Sequence, residues 1–270
     1  MQPLTFLIPV LYAIFLWWFT TGVIIVVFGR GPLVKRIYYA LATLALLIAL
    51  AGLFVTRDRT DVHAVYIAVT CGVVIWGWQL AGYYLGFVTG PHRDHQVDDG
   101  ARSLWDRFGL ALRAGIHHEL LALGFGALLT IIVWGQANHW GLLMYVALWL
   151  MHASAKLNVF FGVRNFRIDF LPGHLHHLEA LLNKRDHNEF FPLAMVAATS
   201  AVVVLVYHAI MPSGSDAQTV GSLLIATMMA LGILEHALLI LPVPLMLWGW
   251  GARPLPPSND QTVSKQEING

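Results

Sequence analysis

Charge is what this chain has least of. Asp, Glu, Lys and Arg make up 11% of its 270 residues, less than half of the roughly 25% usual in a soluble domain. An ordinary water-facing surface is thereby excluded. Cysteine is nearly missing as well, and the single Cys71 lies inside an apolar run, which excludes intrachain disulfides, thiolate zinc sites and iron–sulfur clusters. The net charge of +1 comes from basic residues spread over several loops, so no patch suited to nucleic acid forms. Nucleophile elbows of the form GxSxG, HExxH zinc helices, Walker loops and GxGxxG turns are all absent, and "HHEL" at 117–120 does not supply the HExxH spacing.

Hydrophobic residues, by contrast, make up 57% of the chain. Runs of about 20 residues with almost no charge are long enough to cross a hydrocarbon core as helix. They predict spans at 4–28, 37–55, 62–88, 108–134, 139–162, 193–211 and 218–247. The expected fold is therefore an all-α polytopic membrane bundle of about seven helices. The first run has no basic start and is too long for a signal-peptide core, so it is expected to stay as an anchor. Outside the spans, Arg30, Lys35, Arg36, Arg93, Arg102, Arg107, Arg164, Arg167, Lys184, Arg185, Arg253 and Lys265 fall on one side, and only Arg57 and Arg59 on the other. Basic loops stay cytoplasmic, which predicts the N-terminus outside and the C-terminus inside. Residues 1–250 read as a single transmembrane domain with a cytoplasmic interfacial segment at 163–192, and the polar stretch 251–270 as a disordered tail. Trp17, Trp18, Trp105, Trp140, Trp248 and Trp250 are expected near span ends, where an indole suits the interface.

Ionisable groups at bilayer depth cost several kcal/mol and usually face a bundle interior with a partner. Arg113, His117, His118 and Glu119 fall in the fourth span, His152 and Lys156 in the fifth, and Glu235 and His236 in the seventh. At 1.5 Å of rise per residue, these histidines and glutamates, together with Gln79 in the third span, are expected about 13 to 18 Å above the cytoplasmic edge. Such a layer can hold iron or zinc, pass protons, or ligate the magnesium of a chlorin through one imidazole nitrogen. Interhelical hydrogen bonding between the same groups is the structural alternative.

Two further histidine groups lie in cytoplasmic loops, "HRDH" at 92–95 and "HLHH" at 174–177. Neither has the HxxxH or HxxHH spacing of membrane-bound di-iron hydroxylases and desaturases. Leucines recurring at 171, 175, 178, 181 and 182 predict a short amphipathic helix over 171–184, lying in the interface with its histidines as amphipathic decoration.

The segment "KLNVFFGVRNFRIDFLPGHLHHLEALLNKRDHNEFFP" at 156–192 closely resembles the signature region of the photosynthetic complex assembly proteins of the PuhE type, found in phototrophic bacteria. Lys156, Asn158, Phe160, Gly162, Val163, Asn165, Phe170, Leu171, Pro172, His174, Leu175 and Pro192 carry the match. The resemblance implies a multi-pass inner-membrane protein that helps assemble the reaction centre and its antenna and is tied to bacteriochlorophyll supply. It brings no catalytic residues. Reaction-centre or light-harvesting subunits, pigment-synthesis proteins and membrane lipids are the expected partners. A transiently held bacteriochlorophyll is the expected cofactor, with His117, His118, His152, Glu119, Glu235 and His236 as candidate binding residues. Within the segment, Phe166, Phe170, Leu175 and Phe190 with Arg164 and Arg167 are candidates for a docking shelf for partner or lipid. A membrane oxidoreductase with a His/Glu-bound metal, acting on a lipid or tetrapyrrole, is the alternative from a different class. A transporter using the polar layer as its midplane site is a third.

Overall fold

The computed structural model describes residues 3–88, 103–164, 188–211 and 215–240. They form eight helices: α1 (Pro3–Phe28), α2 (Pro32–Thr56), α3 (Val62–Tyr84), α4 (Leu104–Ala114), α5 (Ile116–Val133), α6 (Trp140–Phe161), α7 (Phe190–Ile210) and α8 (Asp216–Leu238). All except α4 are long and apolar enough to cross a bilayer. The chain is a polytopic helical membrane protein with the seven expected spans.

Local signals account for the helix starts. Pro32 opens α2 after an extended Gly31, where its missing N–H is no loss. Asp61 caps α3 by accepting from the Ala64 N–H at 3.1 Å, and Ser215 caps α8 by accepting from the Gln218 N–H at 3.2 Å. α4 begins with a reciprocal box in which Ser103 Oγ accepts from the Asp106 N–H and Asp106 Oδ2 accepts from the Ser103 N–H.

α3 and α8 form the centre, with 61% of the most apolar window of each buried, against 22% or less in the other five spans. Small residues permit the closest crossings, as expected where lipid supplies no hydrophobic drive between helices. A Cβ on Gly72 of α3 would overlap the Gly141 carbonyl of α6, and one on Gly221 of α8 would overlap the Trp140 ring. Around these crossings pack Val65, Val69, Met144, Leu224 and Met228, all buried.

The expected fourth span, 108–134, is not one helix. It breaks at Gly115, where φ is −109° and ψ 9°, and the Gly115 N–H turns back to Leu112 O at 3.2 Å. The capping box starts α4 ahead of the apolar run, and Asp106, Arg107 and Arg113 make it amphipathic. Its 11 residues rise only about 16 Å, too little to cross a bilayer. Other boundaries move less. α3 stops at Tyr84, before a turn through Gly86, instead of at 88. α7 starts at Phe190, and α8 ends at Leu238. Trp17 and Trp18 are not at a span end but in the middle of α1. The helix expected over 171–184, the "HRDH" and "HLHH" histidines and the 251–270 tail lie outside the described residues.

Candidate functional site

Three helices bring polar side chains together. α3 presents Trp76, Gln79 and Tyr83 along one face, α6 presents Tyr145, His152 and Lys156, and the first turn of α5 supplies His118 and Glu119. The spacings of three, four and seven residues put the α3 set and the α6 set each on a single helical stripe, while the consecutive His118 and Glu119 diverge by about 100°.

At the centre, the rings of His118 and His152 lie parallel with centroids 5.6 Å apart. Trp76 meets both edge-on, at 5.8 and 5.4 Å, and Tyr83 meets His118 at 4.8 Å. His118 is 1% exposed, yet neither of its ring nitrogens has a partner, and His152 Nε2 and Gln79 Nε2 are also buried and unpaired. The remaining end of Gln79 is held, because Tyr145 Oη donates to Gln79 Oε1 at 2.6 Å. Unpaired buried polar atoms each carry a desolvation cost of about 1–3 kcal/mol. Ordered water or a polar ligand atom at such a place offsets that cost.

Beside this pair, Lys156 and Glu119 form an ion pair with side chains 34% and 20% exposed. The Lys156 ammonium lies 5.3 Å from the Tyr83 ring centroid, a cation–π geometry. One ring thus touches both the ion pair and the histidines.

The other members of the expected layer go elsewhere. His236 of α8 is buried with both nitrogens engaged, Nδ1 at 2.8 Å from Gly232 O and Nε2 at 3.0 Å from Ser154 Oγ of α6. Glu235 accepts from Trp17 Nε1 of α1 at 2.8 Å, on a different face of α8. His117 is exposed, pointing away from His118. The six candidate residues are therefore split into a cluster of three (His118, Glu119 and His152), an α8–α6 hydrogen bond, an α8–α1 hydrogen bond and an exposed histidine. Among the described residues, no three His, Cys, Asp or Glu side chains group as metal ligands. The ligand set that the oxidoreductase alternative draws on is thus not assembled, since Glu119 and Glu235 serve different neighbours.

The depth also differs from expectation. His118 is the third residue of α5, and Gln79 lies five residues before the end of α3. These positions are about 3 and 8 Å from their helix ends, whereas His152, nine residues before the end of α6, lies about 13 Å from its own, so the cluster reaches from the start of α5 to the expected depth in α6.

Of the resemblance-bearing segment, Lys156, Asn158, Gly162, Arg164 and Phe190 are described, and Asn165, Phe166, Arg167, Phe170, Pro172, His174 and Leu175 are not. Gly162 has φ 116°, a value that favours glycine, and ends α6. Asn188, which sequence reasoning missed, ties the two ends of the segment together. Its Nδ2 donates to Gly162 O at 2.7 Å, and its Oδ1 accepts from the Phe191 N–H at 2.8 Å. Arg164 is exposed, and the Phe190 ring lies 5.8 Å from Phe161. Trp76, Tyr83, Tyr145 and Ser154 were missed as well, although Trp76 and Tyr83 share a helical face with Gln79.

The family described as protein of unknown function (DUF3623) matches residues 4–259 of the chain. A Rhodobacter capsulatus protein described as an uncharacterized 30.4 kDa protein in the puhA 5′ region is 32% identical over 249 residues, covering 89% of this chain and 88% of the relative. No solved structure matches.

Proposed function

We propose that this chain, which belongs to the DUF3623 family, is a bacterial inner-membrane factor that helps assemble the photosynthetic reaction centre and light-harvesting complex and handles bacteriochlorophyll while it does so. Its N-terminus lies outside and its C-terminus in the cytoplasm. The observation that carries the reading is the relative named from the puhA 5′ region, which aligns over nearly its whole length. The likeness of the 156–192 segment to photosynthetic complex assembly proteins of the PuhE type points the same way.

The geometry supports a handling role in preference to turnover. His118 and His152 offer unpaired imidazole nitrogens inside an aromatic wall of Trp76, Tyr83 and Tyr145, the donor type that ligates a chlorin magnesium. Of the residues expected to bind pigment, these two with Glu119 are retained in the proposal. His117, Glu235 and His236 are not, because they face other neighbours. Arg164 and Phe190, at the two ends of the segment that Asn188 ties together, are where a partner subunit is engaged.

The test is an absorption spectrum, with metal analysis, of the protein purified in mild detergent from phototrophic membranes, alongside complex accumulation in a strain carrying His118→Leu with His152→Leu. A bacteriochlorin band lost in the double variant, with reduced reaction-centre and antenna accumulation at normal levels of the factor itself, is the expected result. Full accumulation of both complexes without the factor would reject the assembly role.

A further inference from the structure

We infer that α4 binds one phospholipid whose headgroup joins a phosphate to a primary ammonium, the phosphate at Arg113 and the ammonium at Asp106. This goes beyond the assembly role and does not depend on it. Contacts with α6 fix how α4 lies. Its Phe108 ring packs on Phe160 at 5.5 Å, one residue before the end of α6. The first turn of α5, which follows Gly115 directly, instead meets α6 at His152 and Lys156, nine and five residues before that end. α4 therefore starts at the membrane edge where α6 stops and slopes inward, with Arg113 deeper than Asp106. Seven residues separate the two, which is two turns or about 10 Å of helix and puts them on one face.

On that face a groove of about 390 Å³ is lined by Trp105, Asp106, Gly109, Leu110 and Arg113. Gly109 opens it, standing four residues after Trp105 and four before Arg113, and a Cβ there would meet nothing within 4 Å. The charged groups at its two ends have capacity to bind. Arg113 is exposed and makes no hydrogen bond or ion pair among the described residues. Asp106 commits Oδ2 to Ser103 in the capping box and keeps Oδ1 for another donor. A guanidinium at the edge of the hydrocarbon is stabilised by an anion, and the anion a bilayer supplies at that level is phosphate, gripped through two N–H groups. Further out, a carboxylate oxygen accepts from an ammonium that still carries N–H. Phosphate inside and ammonium outside is the order in which a phospholipid presents them, with its acyl chains running inward past the exposed Leu112. Trp105 is 79% exposed at the outer end, a placement that suits an indole at the interface.

The probe is dioleoylphosphatidylethanolamine, titrated into the delipidated full chain in non-ionic detergent and followed by native mass spectrometry. Phosphatidylcholine, whose ammonium has no N–H, and phosphatidylglycerol, which has no ammonium, are compared with the same acyl chains. The first phosphatidylethanolamine is expected to bind about tenfold tighter than either, the discrimination one charge-assisted hydrogen bond gives. Asp106→Asn keeps an acceptor for the capping box and removes that preference. Arg113→Gln weakens all three lipids alike, and Arg113→Lys recovers part of the loss. Gly109→Leu fills the groove and weakens binding while the helix itself gains a better former, so its unfolding midpoint does not fall. Glycerophosphoethanolamine, the headgroup without chains, is expected not to displace the lipid, and displacement at equal concentration would overturn the choice of a lipid over a soluble phosphate compound. Tightest binding of phosphatidylglycerol would overturn the part given to Asp106. Equal affinities for all three lipids in the wild-type protein would overturn the site and leave α4 a plain surface anchor or a contact for another protein, a result that requires no variant to fold.

Discussion

At one end of the bundle, where α2 runs out and α3, α6 and α8 begin, Asn138 uses both ends of its side chain. Its Nδ2 donates to Thr56 O at 3.1 Å and lies 3.3 Å from Ala64 O, while its Oδ1 accepts from the Trp140 N–H at 3.2 Å. At the other end, where α3 and α6 run out and α5 begins, His118 is buried as deeply and uses neither ring nitrogen. Gly141, at the start of α6, also meets the backbone of α3 at Ala68 and Gly72, and Gly221, near the start of α8, meets the Trp140 ring. The second holds a broken helix, an ion pair and the unpaired histidines. A membrane bundle has no hydrophobic drive to hold its helices together, so packing and satisfied hydrogen bonds have to do it. Both ends have such ties, since Asn188 bonds Gly162 O and the Phe191 N–H where α6 ends and α7 begins, so what sets the second apart is that it also carries buried imidazole nitrogens with no hydrogen bond.

The largest test of that division is steric. Gly141→Val places a side chain against Leu53 and the Ala68 carbonyl, and is expected to cost about 3 kcal/mol of stability. It should be read as lost accumulation and a lowered unfolding midpoint in detergent. An unchanged midpoint would mean that α3 and α6 do not cross here. Asn138→Ala is expected to cost about 1–3 kcal/mol, because it leaves the Trp140 N–H without its acceptor and removes the tie between the end of α2 and the start of α6. Both changes act through the scaffold and should impair every function in parallel with stability.

At the opposite end the pattern should invert. Lys156→Met leaves the Glu119 carboxylate unpaired and is expected to cost about 2 kcal/mol, most of which returns in the Lys156→Met, Glu119→Gln double variant. Additive losses would show that the pair is not coupled. His118→Leu removes two unpaired nitrogens and breaks no hydrogen bond, so its unfolding midpoint is expected to stay level or rise, while any pigment binding falls. A drop comparable to that of Asn138→Ala would show that the imidazole is a structural strut and that the two ends do not differ as argued.

Parts of this division were legible in the sequence, and the reasons are physical. Seven spans could be read because the length of an apolar run is a local property. The break at Gly115 escapes a reading that counts the leucines and alanines of 108–114 into the apolar run, although Asp106, Arg107 and Arg113 make that stretch amphipathic. The pairing of Ser103 with Asp106 in "SLWD" was nevertheless a start signal for a separate helix. His118, Glu119, His152 and Lys156 were singled out by their cost in lipid, and the fold brings them together. Glu235 and His236 were grouped with them by depth alone. Successive helical residues point about 100° apart, so one turned to α1 and the other to α6. Depth picks the layer, and only packing decides which members of it meet.

The smallest effect lies outside the bilayer, at the start of α3, and it separates charge from hydrogen bonding at the scaffold end. The Asp61 carboxylate is held below its ordinary 3.8, chiefly by the Ala64 N–H it accepts from and then by Arg59, whose Nε donates to Asp61 Oδ2 at 2.9 Å. A carboxyl that gives up its proton more readily when folded adds stability above the unfolded value, and loses that contribution as pH falls through its lowered one. Unfolding midpoints of the wild-type protein and Asp61→Asn, measured from about pH 5 down to about pH 2, should therefore differ at the upper end and converge toward the lower. Asparagine keeps the cap and removes only the charge, so a gap that stays constant with pH would assign the role of Asp61 to geometry alone. A gap that widens in acid would mean the carboxyl is protonated in the folded state and that the Arg59 contact contributes nothing.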